Sequence, residues 1–172
     1  MMEKGRLEAF SDGVFAIIIT IMVLDLKIPS HGDWTAIMND AWMSTFLAYL
    51  VSFIITASFW VSHHLIISNL KKVDSGLLWI NVLTLLPMSL VPITTAWFGE
   101  FPNSVAPSVT SGLVYVLSVG ALFNLSHIVS KQLANPVVQK RMRRVNRSRI
   151  GLIAIGLVGT GLAFIWPPVT GG

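Results

Sequence analysis

Long apolar runs separated by short polar clusters organise this chain. Read to the nearest charge, proline or glycine, the runs predict five helical spans near residues 9–28, 43–68, 76–98, 107–130 and 149–166. These lengths match the roughly 20 residues with which a helix crosses a hydrocarbon core about 30 Å thick. The alternating strands of an outer-membrane barrel are absent from the pattern. The expected fold is an all-α integral membrane protein, a helical bundle of five transmembrane helices forming one domain over 1–172, with a basic segment at 131–149. No internal repeat or low-complexity linker divides it. Asp25, Lys27, Pro29 and His31 follow the first run and no small-residue cleavage site does, so that run reads as a retained span rather than a signal peptide.

Composition agrees: 53% of the 172 residues are hydrophobic and 12% charged, with a mean hydropathy of +0.72, outside the range of soluble domains. With no cysteine, disulfide and thiolate chemistry are excluded and the redox compartment cannot be inferred. The net charge of +4 gains meaning only once mapped. Lys4 and Arg6, then Lys71 and Lys72, then Lys131, Lys140, Arg141, Arg143, Arg144, Arg147 and Arg149 fall on one side of the predicted topology, and only Lys27 falls on the other. By the positive-inside rule the N terminus, the loop at 70–75 and 131–149 are cytoplasmic, while Asp25, Asp33, Asp40 and Glu100 face outside. The outer carboxylates, Asp25 at a pore mouth among them, could raise local cation concentration, and also read as plain solvated loop charge. Gln139 to Arg149 carries six basic residues and no acidic one, which suits an interfacial helix on anionic headgroups better than nucleic-acid binding. The odd span count puts the C terminus outside, after Trp166-Pro167-Pro168.

Ionisable groups inside spans are costly and call for partners or a water-filled cavity. The topology brings Arg6, Ser11 and Asp12 of span one to the same depth as Trp60, His63 and His64 of span two, Trp79 and Asn81 of span three, and Asn124, Ser126 and His127 of span four. The expected result is a polar network in which Asp12 accepts from Arg6, His63 or His64, an indole donor and Asn81. Only one of the adjacent histidines can point into it, since they differ by about 100° on a helix. A plainer reading makes Ser11 the N-cap of the first helix, with Phe10 stapled on Phe15. Catalysis is not expected: it would need a nucleophile, a base and a substrate pocket, and Ser11 with a histidine on another helix is too common a pair to suggest a hydrolase. No metal site is expected either, the His-x3-His spacing of zinc ligands being absent.

Beyond the polar start, Gly13, Ile17, Thr20 or Ile21, and Leu24 form one helical stripe. By itself that stripe says helix packing. However, Arg6-x3-Phe10-Ser11-Asp12 followed by Gly13-Val14-Phe15-Ala16-Ile17-Ile18-Ile19-Thr20 resembles the first-helix signature of the transmembrane protein 175 family, the lysosomal potassium channel and its prokaryotic relatives. Trp60-Val61-Ser62-His63-His64 and Trp79-Ile80-Asn81 also resemble its pattern, so the match covers roughly residues 5–98. The resemblance implies a passive potassium-selective channel in the prokaryotic cell membrane, a homotetramer whose first helices line a central pore, with no cofactor and K+ as permeant ion. It maps the isoleucine constriction onto Ile17 with Leu24 continuing the face, and a threonine selectivity layer onto Thr20. It makes Arg6, Phe10, Ser11, Asp12, Trp60, His63 and Asn81 a structural motif away from the ion path. Family subunits have six membrane helices, one more than the five read here. A small secondary or proton-coupled transporter, and a scaffold subunit without transport, are the competing functions.

Overall fold

The computed structural model describes residues 3–70 and 72–165, with the Asp40 side chain excluded. The expectations that involve Lys71, that side chain, or Trp166 to Gly172 lie outside the described residues. Six α-helices and two short 3-10 turns account for the architecture, and no strand is present among the described residues. They are α1 (Lys4–Ile21), α2 (Asp40–Ile67), α3 (Ser75–Ser89), α4 (Val91–Glu100), α5 (Val105–Lys131) and α6 (Pro136–Leu162). Among the described residues, four stretches are long and apolar enough to cross a membrane: Lys4–Asp25, Ala41–Ile67, Ser75–Glu100 and Val105–Lys131.

The first span starts at Lys4, about a turn before the expected position, because its first cation finds one local and one long-range partner. Lys4 Nζ lies 3.6 Å from Glu8 Oε1 and donates to the Ser68 carbonyl at 2.5 Å, so a cation meets the C-terminal end of the α2 dipole. Glu3 therefore occupies the cap position, without a side-chain bond, and Ser11 is not the N-cap that the sequence suggested. It sits mid-helix, and its hydroxyl donates back to the Leu7 carbonyl at 2.9 Å. At its far end α1 tightens into the 3-10 turn Met22–Asp25.

The third span is two helices. Pro92 has no N–H for the carbonyl one turn back and its ring crowds that turn, so the ladder breaks at Leu90, between α3 and α4. Just past the break, hydroxyls bond back to their own helix: Thr94 Oγ1 donates to Leu90 O at 3.1 Å, and Thr95 Oγ1 to Val91 O at 2.6 Å. The fifth expected span is part of α6, which also contains the basic segment. That segment is thus the first half of a continuous helix rather than a separate interfacial one. Asn135 caps it by accepting from the Val137 N–H at 2.9 Å, with Pro136 in the first turn, where its missing donor costs nothing.

The core gathers side chains of all six helices, among them Leu7, Phe15, Phe59, Ile66, Leu77, Leu85, Met88, Val91, Leu122, Leu125, Val129 and Met142. Between α5 and α6 the approach is set by small residues, as expected where lipid gives no hydrophobic drive and close van der Waals contact must supply the energy. A Cβ on Gly156 would come within 2.7 Å of Val116 Cγ2, and one on Gly112 would collide with the Thr160 hydroxyl. Opposite the basic end, Trp42 Nε1 donates to Lys27 O at 3.0 Å, and Ser44 Oγ to Gly99 O at 3.0 Å.

Gly112→Val should separate α5 from α6 and cost about 1–3 kcal/mol, the usual range for overpacking. Gly120→Val, where a Cβ meets nothing within 4 Å, should be close to neutral. Thermal unfolding in detergent, followed by size-exclusion recovery, compares the two.

Candidate functional site

Helix α1 has two unlike faces. Leu7, Ser11, Phe15, Ile18 and Met22 are buried, at the steps of three and four residues that keep side chains on one side of a helix. The opposite face carries Phe10, Gly13, Ile17, Thr20, Ile21 and Leu24, all exposed. Ile17 is 59% exposed and Leu24 78%.

On the buried face a hydrogen-bonded chain joins three helices. The Ser11 hydroxyl proton is spent on Leu7 O, so Ser11 Oγ acts as acceptor, and Asn81 Nδ2 donates to it at 3.0 Å. This fixes the amide orientation. Asn81 Oδ1 then faces His63 Nε2 at 2.7 Å, and because an amide oxygen only accepts, the proton resides on Nε2. Asn81 is 0% exposed, with Ser11 and His63 buried beside it, and Phe15 packs on the imidazole at a centroid separation of 5.5 Å. α1, α2 and α3 each contribute one polar group.

Asp12 lies one residue round the helix and outside that chain. Its Oδ1 accepts from Trp60 Nε1 at 2.8 Å, with His64 Nδ1 4.0 Å away and the Trp60 and His64 rings 5.8 Å apart. The sequence expectation of one network centred on Asp12 therefore divides in two: a buried Ser11, Asn81 and His63 chain, and a half-exposed Asp12, Trp60 and His64 group. The helical turn of about 100° per residue separates them, sending His63 inward and His64 outward. Arg6 and Phe10 are on the exposed face, and among the described residues neither Arg6 nor Trp79 makes a side-chain hydrogen bond. Asn124 and His127 are exposed too, so equal depth did not bring span four into the cluster.

The exposed stripe has little chemistry. Thr20 Oγ1 gives its proton to its own helix, 2.8 Å from Ala16 O and 3.1 Å from Ile17 O, which leaves oxygen lone pairs free. Asp25 is exposed in the 3-10 turn beyond Leu24. No group of three or more His, Asp or Glu is arranged to hold a metal ion among the described residues. Sequence reasoning missed the role of Arg149, which is buried and donates to Asn146 Oδ1 at 2.6 Å and to Ser62 Oγ at 3.0 Å. Its position as the last cation before the apolar half of α6 was the available signal.

Comparison with known proteins identifies the arrangement. The model of the endosomal/lysosomal potassium channel TMEM175 family matches residues 6–92, the stretch that holds both polar groups and the exposed stripe. The chain belongs to the TMEM175 family. It is 36% identical over 167 residues to a protein from Chryseobacterium sp. (strain P1-3) named a potassium channel, covering 96% of this chain and 85% of that one. It is 37% identical over 183 residues to another so named from Streptomyces collinus, covering 99% and 87%. Its fold is similar to the crystal structure of a lysosomal potassium-selective channel TMEM175 homolog from Chamaesiphon minutus, with a TM-score of 0.78, 26% identity, and coverage of 97% of this chain and 89% of that one. In this TMEM175 relative the family match ends at residue 92, just past the break at Leu90, whereas the match to the two bacterial relatives runs over nearly the whole chain.

Asn81→Ala should be the most costly change in the buried chain, because it leaves Ser11 and His63 unpaired together, at about 1–3 kcal/mol for each stranded group. Ser11→Ala strands only one amide N–H and should cost less. Asp12→Ala frees a half-exposed indole that water can reach and should cost least. Denaturation midpoints of the three variants test this order.

Proposed function

We propose that this chain is a subunit of a potassium-selective channel in the prokaryotic cell membrane, conducting K+ passively along an axis lined by α1 of four copies. The observation that carries the reading is the two-faced α1: the polar groups are turned into the subunit, and Gly13, Ile17, Thr20 and Leu24 are left uncovered. The names and fold of the relatives support the same reading. Four Ile17 side chains around an axis form an apolar ring that dewets when narrow and passes ions when slightly wider. Thr20, about one turn away, offers hydroxyl oxygens that replace part of a hydration shell. Neutral oxygens are weak ligands, which disfavours the more strongly hydrated Na+. Leu24 continues the face, and Asp25 stands at the mouth as a local cation attractor.

The remaining assignments follow. The N terminus and the basic ends of the helices are cytoplasmic, as the distribution of Lys and Arg directs, and the cations of 139–149 rest against anionic headgroups. Ser11, Asp12, Trp60, His63 and Asn81, together with Arg6 and Phe10 at the edge of the exposed face, serve assembly rather than selectivity. No catalysis or cofactor enters the mechanism. One feature, the broken third span, suits a carrier, since unwound carbonyls often hold ions there. Against that, the break is a single residue, Leu90, whose N–H donates to Pro87 O and whose carbonyl accepts from the Thr94 N–H, so the chain there is a tight turn rather than an unwound stretch.

Potassium flux into liposomes holding the purified chain tests the reading. The wild type should conduct, Ile17→Asn should raise flux and relax selectivity, and Thr20→Ala should lower K+ over Na+ preference while keeping flux. Removing one apolar constriction should change flux by about tenfold, the equivalent of roughly 1.4 kcal/mol in a barrier. No flux from the wild type, with none gained in Ile17→Asn, would mean that the chain is a carrier or scaffold.

A further inference from the structure

We infer that the cleft between α2, α5 and α6 at the basic end of the bundle is a binding site for the phosphoryl group of an anionic phospholipid, with Arg149 as its anchor. The inference deepens the reading of 139–149 as a headgroup-facing segment, replacing diffuse attraction by one built site, and is independent of ion conduction.

Arg149 is 5% exposed and its two hydrogen-bond acceptors, Asn146 Oδ1 and Ser62 Oγ, are neutral. The ion pairs among the described residues join Lys4 to Glu8, Lys27 to Glu100 and His64 to Asp12, so no carboxylate compensates this guanidinium. A buried cation without a counter-charge is costly, and the group retains three of its five N–H donors. Beside it is a cavity of about 180 Å³ lined by Ser62, Asn69, Ser126, Arg141, Arg149 and apolar side chains of α6, with no acidic residue. A water occupies roughly 30 Å³, so the space takes a larger anion.

The second observation is independent of charge. Ser126 is 1% exposed, lines the same cavity, and its hydroxyl has no hydrogen-bond partner, although buried hydroxyls normally do. A cation with spare donors, an unpartnered hydroxyl and a second arginine thus converge on one unfilled space. Arg141, Val145 and Arg149 follow at steps of four on one face of α6. The shared requirement is a tetrahedral oxyanion able to accept several N–H and O–H bonds, which is what guanidinium groups recognise in phosphate. The position decides for a lipid over a free ion: Ser62 lies five residues from the C-terminal end of α2, about 7 Å along the helix, and Arg149 immediately precedes the apolar half of α6. This is the boundary where headgroup phosphates lie.

The test uses the full chain in nanodiscs of phosphatidylcholine with a minor fraction of phosphatidylglycerol. Lipid retained after extraction into mild detergent is counted by mass spectrometry, with oligomeric state checked by size exclusion. The wild type should retain phosphatidylglycerol at least about tenfold over its bulk fraction, as expected for several charge-assisted hydrogen bonds. Arg149→Gln should reduce retention to the bulk value, while Arg143→Gln, an exposed arginine of the same helix that supplies only diffuse attraction, keeps it well above that value. Ser126→Leu fills the cavity with every arginine in place and should also abolish retention, which keeps the test valid if Arg149→Gln does not fold. Equal small losses in Arg143→Gln and Arg149→Gln would overturn the site and leave only diffuse attraction by the basic helix. Absence of enrichment in the wild type, with inorganic phosphate alone raising its melting temperature and not that of Arg149→Gln, would overturn the lipid as ligand in favour of a free ion.

Discussion

Asn81 has one donor group and one acceptor in a place that water does not reach, and both are used. That constraint organises the first half of the molecule. The amide can satisfy itself only if Ser11 presents an acceptor and His63 a protonated Nε2. Ser11 presents an acceptor only because its own proton is committed to Leu7 O. The chain of bonds therefore has a single direction and a single tautomer, and in a low-dielectric interior each link is worth more because leaving it open is so costly. α1 cannot rotate by one residue against α2 and α3 without breaking all of it.

A helix fixed on one side has its other side determined as well. Because Ser11 faces inward, Ile17 and Leu24, about 120° and 140° away in projection, must face outward. The exposed stripe is thus a consequence of the polar chain rather than a separate design. The same logic explains why Asp12 is peripheral: one residue of rotation takes it from the seam to its edge, where an indole and a half-exposed imidazole suffice. Its more visible charge had made it look central.

Much of this was legible from residue order. The all-α membrane fold, the limits of α2 and α5, the stripe on α1, and the common depth of Ser11, His63 and Asn81 follow from apolar run length and helical period. Depth is a one-dimensional quantity, however, and a contact needs azimuth too. Trp79 and Asn81 share a depth, yet two residues of helix turn them about 200° apart, and only Asn81 is buried. The start of α1 was misplaced because Lys4 is satisfied by Glu8 and by the end of α2, the latter a long-range partner that a local capping rule cannot see. The break at Leu90 had its signal in Pro92, which lacks the N–H that Met88 O would accept. Arg149 looked like one of several surface cations, since nothing in its neighbours along the chain announces that Ser62, 87 positions earlier, will accept from it.

The division of polar and apolar groups within α1 bears on what the exposed face can do to an ion. An ion pathway needs groups that bind weakly enough to release, since a deep well stops conduction as surely as a barrier. Had Asp12 or His63 faced outward with Ile17, a permeating cation would have met a full charge or an imidazole at low dielectric. With those groups held by Asn81 and Trp60, the outward face between Gly13 and Leu24 keeps only aliphatic side chains and the Thr20 hydroxyl, whose proton is already given to its own helix. In the proposed channel a passing ion would meet an oxygen with free lone pairs and no net charge, next to aliphatic side chains. The internal hydrogen bonds are therefore what keeps the surface of α1 weakly coordinating, and the plainness of that surface is itself a product of the packing behind it.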